Sequence, residues 1–261
     1  MTRLPAIGIT CYPSQGGSGI VATELGLNLA RSGYEVHFIC QSLPLRLREY
    51  RENVFYHEVE VADYPVFRSP PYTLSLATAM ADTATRHGLD ILHVHYAIPH
   101  AASGFLARQM VGPDRLKLVT TLHGTDITLV GQEPSFFPIT RFVIEQSDAV
   151  TAVSGFLARE TREVFGVQRP VEVIPNFVDA RRFRPREDPR ARARWARPEE
   201  LLLVHASNFR EVKNLPAVVA AFAEVARVRA ARLLLLGDGP ELAPTLARLQ
   251  DLGLTDRVSA P

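Results

Sequence analysis

Residues 8–26, GITCYPSQGGSGIVATELG, decide the fold. An apolar run that began at Ala6 ends at Cys11, and Gly16, Gly17 and Gly19 follow in quick succession. Val21, Leu25 and Leu29 then recur every four residues until Gly33. A strand, a glycine-rich loop and a helix in that order aim backbone N–H groups and a helix N-terminus at an anion. The stretch GSGIVA from Gly17 to Ala22 formally fits the dinucleotide fingerprint G-x-G-x-x-G/A. Two features oppose that fit. The turn YPSQG lengthens a connection that the fingerprint keeps tight, and the second strand ends in Cys40-Gln41-Ser42 with no acid for a ribose. The preferred reading is an anion held by backbone N–H groups, with the Ser18 hydroxyl as a further donor. A turn without a ligand stands beside it.

Outward from this unit the pattern repeats. Strands are expected at Ala6–Cys11, Glu35–Cys40, Val54–Val61, Ile91–His95, Leu118–Leu122, Ala149–Val153 and Val171–Ile174, with helical stretches between most of them. One helix is expected over 73–87, closed by Gly88, and another is expected after a Ser154 cap. Strand–helix alternation implies parallel sheets covered on both faces. The Arg- and Pro-rich segment 179–199 has no apolar period and reads as a linker, because interleaved acids and prolines argue against a nucleic-acid patch. A second β-α-β-α unit occupies 200–261 and has room for only two or three strands, so it is expected to be an incomplete domain. The division is therefore 1–178, 179–199 and 200–261.

The 261 residues carry 29 basic and 28 acidic side chains, so nothing in the bulk charge points to nucleic-acid binding and none is expected. The N-terminus has no signal-peptide pattern and no apolar run is long enough to span a membrane, so a cytoplasmic protein is expected. Cys11 and Cys40 each end a strand and are expected to be buried free thiols.

Candidate site residues lie just past strand ends. In DILHVHYAIPH, His93 and His95 share one side of a strand, and Tyr96 and His100 follow. In TLHGTD, Gly124 admits close approach, while Thr125 and Asp126 suit a helix cap. His123 and Asp126 could complete a metal set with His93 and His95, but hydrogen bonding to neighbours or substrate is the preferred role. In SNFREVKN, Arg210 and Lys213 are expected at a helix start, converging on one anion as planar fork and point charge. In LLGDGP, Gly237 and Gly239 flank Asp238, where turn chemistry and ligand contact explain the residues equally well.

Taken in order, GITCYPSQGGSGIVATELG, ILHVHYAIPHA, VTTLHGTDIT, DAVTAVS, VIPNFVD, HASNFREVKN and LLLLGDGPE resemble the retaining GT-B glycosyltransferases of family 4 over essentially the whole chain. The resemblance implies an α/β fold of GT-B type with two Rossmann-like doubly wound domains, the second truncated here. It implies UDP-N-acetylglucosamine (UDP-GlcNAc) as donor and L-malate as acceptor, in the bacillithiol-pathway branch of the family. By the same resemblance, Arg210, Lys213 and His123 would be catalytic. Gly16, Gly17, Asn176 and Gly237 would contact the donor phosphates or sugar, and Ser18, Tyr96 and Thr121 would orient malate. No cofactor and no metal are implied, and a homodimer is compatible with the family. The family's E-x7-E pair, expected later in the second domain, does not occur before Pro261. This polypeptide alone is therefore expected to bind UDP-sugar weakly and turn over negligibly. A transferase with another acceptor and a non-catalytic binding module are the alternatives.

Overall fold

The computed structural model describes residues 3–13, 16–48, 50–61, 69–186 and 188–261. Ser14 and Gln15 of the opening turn lie outside the described residues. The chain divides into two compact units, Met1–Val178 and Asp179–Pro261.

The first unit runs β1 (Ile7–Thr10), α1 (Gly17–Arg31), β2 (Val36–Cys40), β3 (Val54–Glu58), α2 (Tyr72–His87), β4 (Ile91–His95), α3 (Ala102–Val111), β5 (Lys117–Leu122), α4 (Thr125–Thr128), α5 (Phe137–Gln146), β6 (Ala149–Ala152), α6 (Gly155–Phe165) and β7 (Val171–Val173). Among the described residues its strands form one parallel sheet in the order β3-β2-β1-β4-β5-β6-β7. The chain builds outward from β1 through β2 and β3, then returns to place β4 on the other side of β1. Loops diverge at such a switch point and leave a crevice at the carboxyl ends of the strands.

β1 and β2 are buried throughout because helices cover both faces of the sheet. Ile9 and Phe38 pack with Ala22 and Leu27 of α1, whereas Ile39, Leu92 and Val94 pack with Leu76 and Met80 of α2. Full burial of a side chain such as Phe38 contributes about 1.5–3 kcal/mol. Gly26 lets α1 sit down on this layer, since a Cβ there would stand 2.4 Å from Phe38 Cζ. Ser154 caps α6 by accepting the Leu157 N–H at 3.2 Å. Cys11 and Cys40 are buried free thiols with sulfurs 4.0 Å apart, about twice a disulfide bond length.

The second unit contains α7 (Pro189–Ala193), β8 (Leu201–Ala206), α8 (Leu215–Val228), β9 (Ala231–Leu236), α9 (Leu242–Asp251) and β10 (Val258–Ser259). Its strands are parallel in the order β10-β9-β8. Phe209, Leu215, Phe222, Leu233, Leu235 and Leu249 form its core. Within 179–199, Asp188 caps α7 and Arg192 donates to the carbonyls of Arg197 and Glu200. Some of its arginines therefore serve local backbone. One expectation is corrected here: Arg210 and Lys213 do not lie in the first turn of α8. A short turn over Glu211–Lys213 intervenes, Asn214 takes a left-handed conformation (φ 49°), and Pro216 fixes the helix start beyond it.

Candidate functional site

In the first unit the site grows from the loops after β1, β4 and β5. Helix α1 begins at Gly17 behind Gly16, with no side-chain cap and no acid in its first turn. Its first-turn N–H groups thus offer partial positive charge to a ligand. Gly17 is exposed, and a Cβ built on it meets nothing within 4 Å. The packing of the chain therefore does not require glycine at this position. What glycine supplies there is room for something to approach the backbone. Ser18, half-buried, stands beside it on the same turn.

The loop after β4 is strained. Tyr96 has φ 89°, a conformation that costs a non-glycine residue about 1–3 kcal/mol. Two backbone bonds hold it: Tyr96 N–H donates to Thr121 O at 2.9 Å, and Ala101 N–H donates to Tyr96 O at 3.2 Å. Asp126 fixes the neighbouring loop. Its Oδ1 accepts the amides of Gly124 (2.9 Å) and His123 (3.2 Å), and its Oδ2 accepts the amide of Ala97 (3.2 Å). Burial pushes the Asp126 carboxyl up, and these amides pull it back. The carboxylate thus ties the β5 loop to the β4 loop. It caps no helix with its side chain, because the start of α4 has no side-chain cap.

The histidines form a connected stack on this frame. The rings of His93 and His95 lie 4.7 Å apart and those of His95 and His123 5.1 Å. His95 Nδ1 is hydrogen-bonded to His123 Nε2 at 2.8 Å, and His93 Nε2 to Thr121 Oγ1 at 2.7 Å. Thr121 Oγ1 also meets Thr151 Oγ1 at 2.7 Å. Desolvation lowers His93, His100 and His123 to about 4, with charge repulsion from His93 and His100 adding to the effect at His123. At neutral pH these rings are uncharged and act through hydrogen bonds. Tyr96 stacks near His123 at 5.4 Å, and Tyr12, past β1, lies 5.5 Å from Tyr96 and 4.5 Å from His100.

The structure therefore brings Tyr96, Thr121 and His123 together, with Tyr12 joining them from the opening loop. Asn176 is exposed beyond β7, three strands from β4 and hence about 14 Å away across the sheet. Sequence reasoning left Tyr12 and Thr151 unassigned, and no spacing in the sequence marks either. The bond from Asp126 to Ala97 spans 29 residues and depends on the β4–β5 pairing.

In the second unit, Arg210 and Lys213 are exposed, and neither side chain pairs with any described residue. Gly237 and Gly239 have a definite structural task. With φ 123° and 153°, they pass so close to the preceding loop that added Cβ atoms would stand 2.0 Å from Ser207 O and 2.1 Å from Asn208 O. The amide of Glu241 then donates to Phe209 O at 2.8 Å. Locking these two loops together fixes the backbone that carries Arg210.

Comparison with known proteins agrees with this layout. The model of Glycosyltransferase Family 4 matches residues 15–182. N-acetyl-alpha-D-glucosaminyl L-malate synthase of Bacillus anthracis is 51% identical over 253 residues, covering 97% of this chain and 66% of that protein. A GDP-mannose-dependent alpha-(1-6)-phosphatidylinositol monomannoside mannosyltransferase of Mycobacterium tuberculosis is 28% identical, covering 79% of this chain and 54% of its own length. The chain thus spans between about half and two thirds of these relatives. Sucrose-phosphate synthase from Thermosynechococcus elongatus superposes with a TM-score of 0.75 at 19% identity, covering 99% of this chain and 70% of that one. Anabaena HepE, solved with UDP-glucose, gives 0.75 at 16% identity over 98% of this chain and 68% of its own. The fold is α/β of the GT-B type. A family match across the first unit, on a parallel sheet with its switch point at the glycine loop, shows that the chain belongs to Glycosyltransferase Family 4.

Proposed function

We propose that the whole protein transfers N-acetylglucosamine from UDP-GlcNAc to the hydroxyl of L-malate with retention of configuration. The observation that carries this reading is 51% identity, sustained over 97% of the chain, to a protein named for that product. The geometry of each unit suits its assigned part. Arg210 and Lys213, exposed and unpaired among the described residues, grip the donor diphosphate and stabilise charge as UDP leaves. Gly237 holds their loop in place. Gly16 and Gly17 present backbone N–H groups to a phosphate, and Asn176 contacts the donor from the end of the first unit.

On the acceptor side, Ser18 and Tyr96 hold malate carboxylates. Thr121 joins them by turning its hydroxyl away from Thr151, to which it is bonded at 2.7 Å. His123, neutral at pH 7 and oriented by His95, hydrogen-bonds the donor sugar. The malate hydroxyl oxygen bonds to the anomeric carbon on the face from which UDP departs. The bond from that carbon to the phosphate oxygen breaks, and the hydroxyl proton passes to a phosphate oxygen of the leaving UDP. No side-chain carboxylate is needed as base.

The test is an acceptor screen on the whole protein with UDP-GlcNAc, comparing L-malate with D-inositol 3-phosphate, the acceptor in the names of other relatives. Product with malate alone is expected. Transfer to the inositol phosphate that is insensitive to malate would overturn the reading.

A further inference from the structure

A second histidine cluster lies away from the crevice. His37 sits near the start of β2, His57 lies on the edge strand β3, and His87 is the last residue of α2. The parallel register places His37 opposite Phe55, so His57, two residues on, shares its face of the sheet. Helix α2 returns antiparallel to the strands and brings His87 back to their amino-terminal side. One ring nitrogen from each histidine lies within 4.8 Å of the other two. The ring centroids are 4.7 Å apart for His37–His87 and 5.1 Å apart for both His37–His57 and His57–His87.

The orientation of His37 makes this more than a crowd of rings. Its Nε2 lies 2.8 Å from Glu35 Oε1, so Nε2 carries the proton and donates it to the carboxylate. Its Nδ1 is then a lone pair, aimed at His57 Nε2 from 2.8 Å. Carboxylate behind one nitrogen and metal before the other is the usual outer-shell arrangement of a histidine ligand. His37 is buried, His57 half-buried and His87 exposed, which leaves an entry path from solvent. Asp82, close enough to favour a positive charge at His57, and Glu35 are the acidic groups facing the cluster. Arg86, the basic group beside it, is bonded to Asp82 at 2.8 Å.

We propose that His37, His57 and His87 bind one Zn²⁺ ion, with Glu35 orienting His37 and the fourth position open to water. Zinc with nitrogen ligands at 2.0–2.1 Å sets tetrahedral nitrogens roughly 3.4 Å apart, so the three rings need only small adjustments. The ion ties the end of α2 to β2 and the edge strand β3. It takes no part in sugar transfer, and the proposal does not depend on the transferase reading.

The experiment uses chelator-treated protein without a histidine tag, titrated with Co²⁺ as a visible-absorbing probe and then with Zn²⁺ in competition. One ion per chain should bind with the spectrum of a four-coordinate site, and Zn²⁺ should displace it and raise Tm. His87→Gln, at an exposed position that does not threaten folding, should abolish the cobalt spectrum, and His57→Gln should do the same. Glu35→Gln should weaken binding about 10–100-fold. His123→Gln should leave it unchanged. Absence of saturable binding, undiminished binding in His87→Gln or His57→Gln, or loss in His123→Gln alone would each overturn the proposal.

Discussion

The first unit contains two stacks of histidines on one sheet, and they differ in where their lone pairs point. In the crevice stack, His93 is bonded to Thr121, His95 to His123, and His100 to the His95 carbonyl. Each of these rings spends one nitrogen on a neighbouring protein group, and the carboxylate beside them, Asp126, is occupied by three backbone amides. In the distal stack, Glu35 takes the outer proton of His37 and leaves a nitrogen directed at two other rings, one of them open to solvent. Proximity of imidazoles is common to both. A carboxylate behind the ring and convergence in front of it belong only to the second. The first stack is knit into the loops after β4 and β5, whereas the second converges on one point.

Acid should separate them most strongly. His93, His100 and His123 are held near 4, below the unfolded value of about 6.5. Their neutral burial contributes stability in full above pH 6.5. That stability is lost as pH falls toward 4, because the unfolded chain takes up protons first. Thermal melts from pH 7 to pH 4 should show a steep fall in Tm, and a flat profile would mean these rings are not dry. With zinc bound, the distal stack should reveal itself in the same range as release of the metal.

Next in size is the functional contrast. His123→Ala should lower kcat/KM of the whole protein by about 10²-fold, the cost of one transition-state hydrogen-bond donor. His87→Ala should leave it within about 2-fold, as for a surface change remote from the site. Equal losses in both would erase the distinction between the stacks.

The smallest expected effects divide helix α1 in the same way. Gly26→Ala should destabilise by about 1–3 kcal/mol, since the new methyl group meets Phe38 and Ile9. Gly17→Ala should change stability by under about 0.5 kcal/mol, because its Cβ meets nothing within 4 Å, while reducing transfer if the donor phosphate approaches the backbone there as proposed. Urea melts and a transfer assay on the two variants check the pair.

The sheet was largely legible in the sequence. Short apolar runs marked the strands of the first unit; β4 occupies Ile91–His95 as the pattern indicates, whereas β3 stops at Glu58, short of the expected Val61. Gly88 and Ser154, local signals with local physics, ended α2 and began α6. Less was legible where structure comes from distant parts of the chain. Asn214 in its left-handed conformation moved the start of α8 past Arg210 and Lys213. The partners of Thr121 are side chains 28 and 30 residues away, brought in by strand pairing. His37, His57 and His87 carry no motif spacing, and only the β2–β3 register and the return of α2 unite them.

The most direct test of the central claim is the proton NMR spectrum of the product that the whole protein forms from UDP-GlcNAc and L-malate. The expected product is N-acetylglucosamine joined to the malate oxygen with the α configuration of the donor. A β-linked product, or hydrolysis of the donor without any malate conjugate, would contradict it.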